Sequence, residues 1–408
     1  MNDKTKKIII IVILTIILLF LLIGLIYIIR IKTAKIEVEL VPDLKVEFND
    51  SKKISDFITS INGTIKEDRE IDTTELGKQK ISFKFKNNDG ITVPYSFEIE
   101  VVDTTEPLIW LTNSYTVLKD SEIDLANEIL CGDNYDNKPQ CTIVGEYDLK
   151  TAGDYELVYK AADKNGNTEE QPFTLHVVEP TPPSEETPSE SQEPTEENVT
   201  LFSDVVKNYK TKNTRIGLDI SKWQGTVDFE KLKAAGVEFV MIRVGGTVGL
   251  NGEYFVDEQF ERNIKEANKH DIDVGIYFYS YSNTTKAAKK DAQWVLKQIK
   301  DYDVDLPIAF DWENWKYFNE YHLSFFGLTS MADTFLDEVE KAGYDGMLYS
   351  SKIYLENIWM PTKHDIWLAH YTDQTTYTGK YKMWQLCQNG KVDGIEGMVD
   401  IDILYQTK

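Results

Sequence analysis

From about residue 213 onward the chain alternates short apolar runs with helical patterns, and this alternation constrains its fold most strongly. Runs such as RIGLDIS, FVMIRVG and LPIAFDWE have the length and apolar content of buried strands. Helical stretches such as DEQFERNIKEANKH lie between the early runs, whereas the last three runs leave little room for helices. Buried strands that alternate with helices predict a parallel α/β sheet, here an incomplete TIM-type barrel of eight strands.

Acidic residues stand where these strands are predicted to end. Asp219 ends the first strand, Asp311 and Glu313 end the fourth, and Asp400 lies in the last. Residues i and i+2 of a strand share a face about 6.5–7 Å apart, so Asp311 and Glu313 should both point into the barrel mouth while Trp312 points away. Chemistry gathers at the carboxyl ends of barrel strands. Burial of neighbouring carboxylates is unfavourable unless they are paired with cations or have a function, so the four acids predict a catalytic cluster.

Each acid also has a purely structural interpretation. Arg243 could hold the pair at 311 and 313, Asp219 could cap the turn that follows it, and Asp400, with Asp402 two residues on, could be a solvated strand end. The three cysteines and five histidines lack the spacing of a zinc or iron site, so neither a metal nor another cofactor is expected.

Seven motifs of this region carry a family resemblance. In order, they are GLDISKWQG, FVMIRVGG, VGIYFYSYS, LPIAFDWE, MLYSS, IWLAHY and MWQ followed by VDIDILY. Together they resemble glycoside hydrolase family 25, the lysozymes of the Chalaropsis type, over about residues 215–408. The resemblance implies a flattened (β/α)5β3 barrel that cleaves the β-1,4 bond between N-acetylmuramic acid and N-acetylglucosamine in peptidoglycan, so glycan strands are the expected substrate.

Glycoside hydrolysis needs one carboxylic acid to protonate the leaving oxygen and one carboxylate near the developing cation. Glu313 is the expected acid, because nearby tryptophans and Asp311 should raise its pKa by desolvation and like charge. Asp311 would orient or stabilise the 2-acetamido group of the substrate if, as the resemblance suggests, that group is the internal nucleophile. Asp219 and Asp400 would position water or tune the pair. Aromatic residues expected at the rim, about half of them touching sugar, are Tyr277, Tyr279, Tyr349, Trp367, Tyr371 and Trp384.

The N-terminus predicts a membrane location. An apolar stretch from Ile8 to Ile29 follows a short basic segment. At ~1.5 Å per residue it reaches ~33 Å, enough for a hydrocarbon core of ~30 Å. No small-residue cleavage site precedes Arg30, so an uncleaved anchor is predicted, with a cleaved signal peptide as the alternative. The expected topology is single-pass, with residues 1–7 in the cytoplasm, 8–29 in the membrane, and the rest on the wall side of a Gram-positive bacterium.

Two related segments, 36–103 and 104–179, follow the anchor. Their D-x4-G turns, turn glycines and terminal double valines recur at one constant offset, and each alternates apolar with polar residues as short antiparallel strands do. They resemble bacterial immunoglobulin-like modules, which could act as spacers or bind a protein partner. In the second module, Cys131 and Cys141 flank a polar loop and are predicted to form a disulfide outside the cell.

Residues 180–212 are predicted to form a linker between the modules and a catalytic barrel at 213–408. The stretch is rich in Pro, Glu, Ser and Thr, and at ~3 Å per residue could separate two domains by up to ~60 Å. A net charge of −24 and a pI near 4.7 argue against a nucleic-acid partner. The sequence therefore predicts a membrane-anchored peptidoglycan hydrolase for wall remodelling or lysis, with a catalytically weak wall-binding or scaffold protein as the alternative.

Overall fold

The structure is a computed structural model that describes residues 3–180, 199–250 and 252–406. It divides into two compact units, Met1–Thr104 and Thr105–Lys408. Most of the predicted linker, residues 181–198, lies outside the described residues.

The first unit begins with one long helix, α1 (Asp3–Thr33). Its segment Val12–Thr33 is long and apolar enough to cross a membrane, and none of it is buried within the protein. A helix that is apolar on all sides is unstable in water and needs an apolar environment around it, such as a membrane or a protein core. The helix thus has the length and composition expected of a membrane span or a signal sequence.

The rest of the first unit consists of two small sheets. Strands β5 and β6 form a long antiparallel hairpin, and apolar residues such as Phe85 and Val93 alternate with outward-facing polar ones. This alternation is the period-2 pattern that the sequence predicted. The strands are β1 (Val38–Leu40), β2 (Lys45–Glu47), β3 (Ile58–Ile61), β4 (Gly63–Ile65), β5 (Gly77–Asn87) and β6 (Thr92–Val102), in the sheet orders β1-β3 and β2-β6-β5-β4.

The second unit starts with a module of similar texture. Its elements are β7 (Leu108–Ile109), β8 (Ser114–Leu118), α2 (Leu125–Glu128), β9 (Cys131–Gly132), β10 (Gln140–Val144), β11 (Gly153–Ala162) and β12 (Thr168–Val178), in the sheet orders β10-β11-β12-β8 and β7-β9. Cys131 and Cys141 form a disulfide, as predicted, and so connect the two sheets. Tyr159 is fully buried in this module and donates its hydroxyl to the Ala126 carbonyl at 2.6 Å.

The remaining strands close on themselves into a sheet that we call the barrel. Seven strands run parallel, and the last strand lies antiparallel between β21 and β14 and closes the ring. Two short strands, β13 and β16, pair at its edge. The bounds are β13 (Thr200–Leu201), β14 (Thr214–Ile220), β15 (Phe239–Thr247), β16 (Tyr254–Val256), β17 (Asp273–Tyr279), β18 (Ile308–Asp311), β19 (Gly346–Ser351), β20 (Asp365–Ala369), β21 (Met383–Lys391) and β22 (Val399–Tyr405).

Helices follow the first five strands of the barrel and are missing after the last three, among the described residues. The helices of this region are α3 (Phe202–Tyr209), α4 (Phe229–Ala235), α5 (Phe260–Lys269), α6 (Thr285–Ile299), α7 (Phe318–Tyr321), α8 (Phe325–Lys341) and α9 (Lys352–Asn357). Apolar residues on both faces of the strands are buried, because one face packs inside the barrel and the other against helices.

The predicted linker ends too late at residue 212. Thr200 and Leu201 pair with β21, and α3 buries Phe202 and Val205 in the same apolar core as the barrel strands. The prediction was wrong because the low-complexity composition stops near residue 199, whereas an amphipathic helix follows it. The barrel domain therefore includes residues from about 199 onward.

The second module contacts the barrel directly, so these two parts are not held apart at the full span that the linker would allow. The side chain of Asn319 in α7 accepts a hydrogen bond from the backbone amide of Cys131 at 3.0 Å and donates one to the Ile129 carbonyl at 2.9 Å. The amide of Phe325 donates to the Asp133 carbonyl at 2.8 Å. Apolar burial and backbone hydrogen bonds thus join the module to the segment that follows β18.

Candidate active site

The two acids at the end of β18 lie as strand alternation predicts. Asp311 is the last residue of the strand and is buried, and Glu313 follows it with an exposed side chain. Trp312 points the other way: its side chain is fully buried, its ring packs edge-on against Trp315 at 4.9 Å, and its indole N–H donates to the Ser282 carbonyl. Burial of this large ring fixes the backbone and directs both carboxyl groups to the opposite side.

The pKa values of both carboxyl groups are raised. Burial is the main cause for Asp311, whose pKa lies well above its ordinary value, and the charge of the neighbouring Glu313 raises it further. The pKa of Glu313 is also raised, mainly by desolvation. Although Glu313 is exposed to the cleft, the surrounding protein removes much of the water that would solvate its charge. The pair therefore retains a proton at a pH where isolated carboxyl groups would be ionised.

A second group of carboxyls lies on the neighbouring strands β14 and β22. Asp219 is buried, and Asp400 is its direct partner in the antiparallel register. Burial raises the pKa of Asp219 well above its ordinary value, with the charge of Asp402 as the next cause. Burial, followed by the charge of Asp219, raises the pKa of Asp400 to about 9. The four predicted acids are therefore close enough to influence one another electrostatically.

Two members of this cluster were missed from the sequence. Asp402 is fully buried, accepts a hydrogen bond from the Trp367 indole at 2.8 Å, and has a pKa raised well above its ordinary value by burial. Gln385 donates from Nε2 to Asp219 Oδ2 at 2.7 Å. Asp402 could have been found, since it stands two residues after Asp400 and so shares its face. For Gln385 the signal is only its register opposite Asp402.

The structural interpretations of the acids are not supported. Arg243 pairs with Asp257, with Nη2 at 2.6 Å and Nε at 2.7 Å from the same carboxylate oxygen, and it only moderates the pKa of Asp311 through its charge. The turn after β14 is capped by Ser221, whose hydroxyl accepts the Trp223 amide. The side chain of Asp400 is partly buried rather than solvated. None of the four acids is thus accounted for by the alternative first considered for it.

The six predicted aromatic residues are placed differently from one another. Tyr349 and Tyr371 both donate their hydroxyls to Gln385 Oε1 at 3.0 Å, which brings them to the acidic cluster. Tyr277 and Tyr279 lie on β17 with pKa values raised by burial and by charges of the cluster. Trp367 and Trp384 are almost fully buried. The Trp384 ring packs edge-on against Tyr209, away from the acids.

An open cleft of about 380 Å³ lies beside Glu313. Its lining includes the rings of Trp315, Tyr349, Tyr354 and Tyr371. Trp315 and Tyr354 stack closely, with ring centroids 3.8 Å apart. Flat aromatic faces next to a carboxylic acid suit a sugar ring, whose C–H groups pack on such faces.

A histidine–carboxylate cluster lies elsewhere in the barrel domain. His364 Nδ1 is 2.8 Å from Glu340, and Nε2 is 3.1 Å from Asp337. His364 precedes β20, so the cluster is at the amino end of the strands, away from the acids. Because carboxylates lie against both ring nitrogens, these contacts link α8 to the entrance of β20.

The barrel with its acids defines a class of enzyme. Carboxyl groups with raised pKa values lie at the ends of the barrel strands, and Glu313 among them lines a cleft with aromatic rings. Glycoside hydrolysis uses groups of this kind, one to donate a proton and one to carry negative charge. The domain is a glycoside hydrolase. Residues 218–395 match the family described as Glycosyl hydrolases family 25, and the barrel domain belongs to that family.

Individual relatives are distant. The chain is 25% identical over 197 residues to an uncharacterized protein, YegX, of Escherichia coli O157:H7, covering 47% of this chain and 70% of that one. It is 27% identical over 189 residues to an autolytic lysozyme of Clostridium acetobutylicum, covering 46% of this chain and 54% of that one. Among solved structures, the modular autolysin LytC of Streptococcus pneumoniae, in complex with a synthetic peptidoglycan ligand, aligns with a TM-score of 0.43 and 23% identity, covering 61% of this chain and 56% of that one.

Proposed function

We propose that the protein is a membrane-anchored muramidase that cleaves the β-1,4 bond between N-acetylmuramic acid and N-acetylglucosamine in peptidoglycan. The observation that carries the proposal is the pair Asp311 and Glu313: both pKa values are raised, and Glu313 lines a cleft together with aromatic rings. The family of the barrel and the similarity to an autolytic lysozyme support peptidoglycan as the substrate.

Glu313 is the proton donor in this mechanism. As the exposed member of the pair, it can reach a glycosidic oxygen in the cleft, whereas Asp311 is buried beneath it. The proton of Glu313 passes to the leaving oxygen as the bond between that oxygen and the anomeric carbon breaks. The carboxylate of Glu313 then takes a proton from the water that attacks the anomeric carbon, which restores the acid for the next turnover.

The remaining acids orient the groups around the reacting bond. Asp311 lies next to Glu313 and would hold the 2-acetamido group of the muramic unit if that group attacks the anomeric carbon. Asp219 and Asp400, opposite each other on β14 and β22, would position the water and influence the charge of the pair. Because burial disfavours their ionised forms, both would act as protonated groups that hydrogen-bond around the pair.

Direct sugar contacts are proposed for the tyrosines nearest the cluster: Tyr277, Tyr279, Tyr349 and Tyr371. Tyr371 is 49% exposed and lines the cleft, so its ring is accessible to a ligand. Trp367 would act through its hydrogen bond to Asp402, and Trp384 would support β21 from the interior.

We propose further that the barrel is the (β/α)5β3 type and that both upstream modules are immunoglobulin-like. Seven parallel strands, one closing antiparallel strand and helices after only the first five support the former. Two-sheet packing of short, mainly antiparallel strands supports the latter. The span Val12–Thr33 would anchor the chain with both modules and the barrel on the wall side.

Product analysis tests the cleavage. Purified full-length protein is incubated with peptidoglycan, and the released fragments are reduced and separated by mass. New reducing ends on muramic acid are expected. Reducing ends on glucosamine would show that the protein cleaves the other glycosidic bond of the glycan strand. An absence of new reducing ends would favour the scaffold role.

The anchor has its own test. Full-length protein expressed in a Gram-positive host should partition with membranes, and its N-terminus should still precede the apolar span. A mature N-terminus after about residue 30 would instead identify the span as a cleaved signal sequence.

A further inference from the structure

The second module reaches the catalytic cleft through one aromatic contact. The ring of Trp110, just after β7, stacks on Tyr354 of α9 with centroids 5.3 Å apart and an angle of 29° between the planes. Tyr354 in turn stacks on Trp315, at 3.8 Å and 17°. Trp315 and Tyr354 line the cleft beside Glu313. The pKa of the Tyr354 hydroxyl is raised, mainly by burial and to a smaller extent by the charge of Glu313. A continuous stack thus runs from the module to the cleft.

The base of this stack is held firmly within the module. The Trp110 amide donates to the Leu130 carbonyl at 2.8 Å, next to the paired strands β7 and β9. The disulfide of Cys131 then ties β9 to β10. A ring mounted on such a cross-linked element loses little freedom when it stacks, so it can restrain the ring packed on it.

The same module also clamps the segment between Trp315 and α8. Asn319 bonds two backbone groups of the module, as described above. A Cβ on Gly132 would lie 2.6 Å from the Phe325 ring and 2.8 Å from the Phe318 ring, so only glycine permits this approach. The backbone that leads away from Glu313 is therefore enclosed between module and barrel.

We infer that the second module is a positioning element of the cleft: Trp110, stacked behind Tyr354, holds the Trp315–Tyr354 wall in place for the glycan. This inference rests on the proposed function for its substrate. It assigns Trp110 a role in substrate affinity, although the residue lies outside the barrel. Trp110 is a positioning residue, since it acts through Tyr354 and Trp315.

The test uses full-length protein with four variants. Trp110→Ala removes the ring behind Tyr354, and Trp110→Phe keeps an aromatic face. Asn319→Ala breaks the hydrogen bonds to the module without touching the stack. Leu118→Ala is the matched control, because Leu118 lies in the same module with 55% of its surface exposed. The readouts are KM and kcat on soluble glycan-strand fragments, and hydrogen exchange of the backbone at residues 315–321 and 352–357.

Loss of one aromatic pair is expected to raise KM by about 2- to 10-fold in Trp110→Ala, with a smaller change in kcat. Exchange at 352–357 should accelerate, Trp110→Phe should recover most of the affinity, and Leu118→Ala should match the wild type. Asn319→Ala should accelerate exchange at 315–321. Wild-type KM and exchange in a folded Trp110→Ala protein would overturn the inference. If that variant does not fold, unchanged exchange in Asn319→Ala would overturn it.

Failure of the proposed function is distinguishable from failure of this inference. A wild-type protein without activity on glycan would refute the proposed function. The exchange measurements would still decide the positioning role, because they need no substrate. Faster exchange in both variants would support it, and unchanged exchange in both would refute it.

Discussion

Asp219 and Asp400 are directly opposed on the antiparallel strands β14 and β22, so two carboxyl groups share one side of the barrel interior. Burial and the charge of Asp219 raise the pKa of Asp400 to about 9. Such an arrangement opposes folding at neutral pH, because the folded protein must either keep a proton that water would remove or bury a second negative charge. A cost of this kind is typical of sites where function, rather than stability, determines the residues.

Replacement of Asp400 should therefore stabilise the barrel in a pH-dependent way. Between the ordinary aspartate pKa near 3.9 and the raised value of Asp400, the folded state binds more protons than the unfolded state, so stability falls as pH rises. Asp400→Asn removes this proton linkage. The variant should gain at least about 1 kcal/mol near pH 7.5, a rise of roughly 2–4 °C in the melting temperature, and less near pH 5. Calorimetry at both pH values measures the difference.

Asp393→Asn serves as the control, because Asp393 is exposed near the same end of the chain. It should leave the melting temperature nearly unchanged at both pH values. An equal gain for Asp400→Asn at both pH values would mean that the carboxyl of Asp400 is not a source of pH-dependent instability.

The proton donor is tested by Glu313→Gln, which preserves shape and hydrogen bonding but carries no transferable proton. A loss of roughly 10²–10⁴-fold in kcat is expected, with KM largely unchanged. The matched control is Glu320→Gln, in the exposed part of the following helix α7. The measurement is the release of reducing ends from soluble glycan fragments. Near-normal activity in Glu313→Gln would move the donor role to another acid, with Asp219 as the next candidate.

Asp311→Asn separates charge from proton donation in the same assay. It should also lower kcat strongly, because an amide at position 311 can neither share the proton of the pair with Glu313 nor carry negative charge near the developing cation. Asp219→Asn is expected to be damaging to a smaller extent.

The pH dependence of kcat/KM should reveal why the pKa of Glu313 is raised. Activity should decline as pH rises through the pKa of Glu313, which lies above the ordinary glutamate value because of desolvation. A shift caused by desolvation responds weakly to salt, whereas repulsion between exposed charges is screened as the Debye length falls from ~30 Å at 0.01 M to ~3 Å at 1 M. The upper limb should therefore stay in place across this range for an uncharged glycan oligomer. A marked downward shift in salt would identify charge repulsion as the main cause.

Much of the barrel and part of its site are local in origin, which is why the sequence predicts them. The separation of Asp311 and Glu313 from Trp312 needs only the period-2 geometry of a strand. The disulfide between Cys131 and Cys141 needs only two nearby cysteines outside the cell. These features are determined by residues that are close in the sequence, so they can be predicted without knowledge of the tertiary structure.

Other features depend on residues far apart in the chain. The stack of Trp110 on Tyr354 joins two domains, and no periodicity in either segment encodes the contact. Helix α3 was assigned to the linker because a proline-rich stretch precedes it, although Phe202 and Val205 have helical spacing. Gln385 could be recognised only from the register of β21 and β22, which places it opposite Asp402. Tertiary pairing determines these relationships, and a single sequence does not specify it.

The disulfide should stabilise the second module and its contact with the barrel. Closing a loop of this length is worth about 2–3 kcal/mol in the chain-entropy account. Cys131→Ser with Cys141→Ser should lower the melting temperature of the module and accelerate exchange of the backbone amide at position 131, since that amide donates to the Asn319 side chain. Thiol counting under denaturing conditions without reductant should find one free thiol in the wild type, that of Cys387. Three free thiols would show that the disulfide does not form.

The boundary of the catalytic domain can be tested by truncation. A chain beginning at residue 213 lacks β13 and α3, and with them the buried side chains of Phe202 and Val205. Each such side chain contributes about 1.5–3 kcal/mol, so this chain should melt well below one that begins at residue 199, or fail to fold. The chain that begins at 199 should fold and cleave glycan with a raised KM, because it lacks Trp110 behind Tyr354. A chain that begins at residue 105 should restore the KM of the full-length protein. Thermal unfolding and steady-state kinetics of the three chains decide the matter, and equal stability for starts at 213 and 199 would show that α3 is dispensable to the barrel.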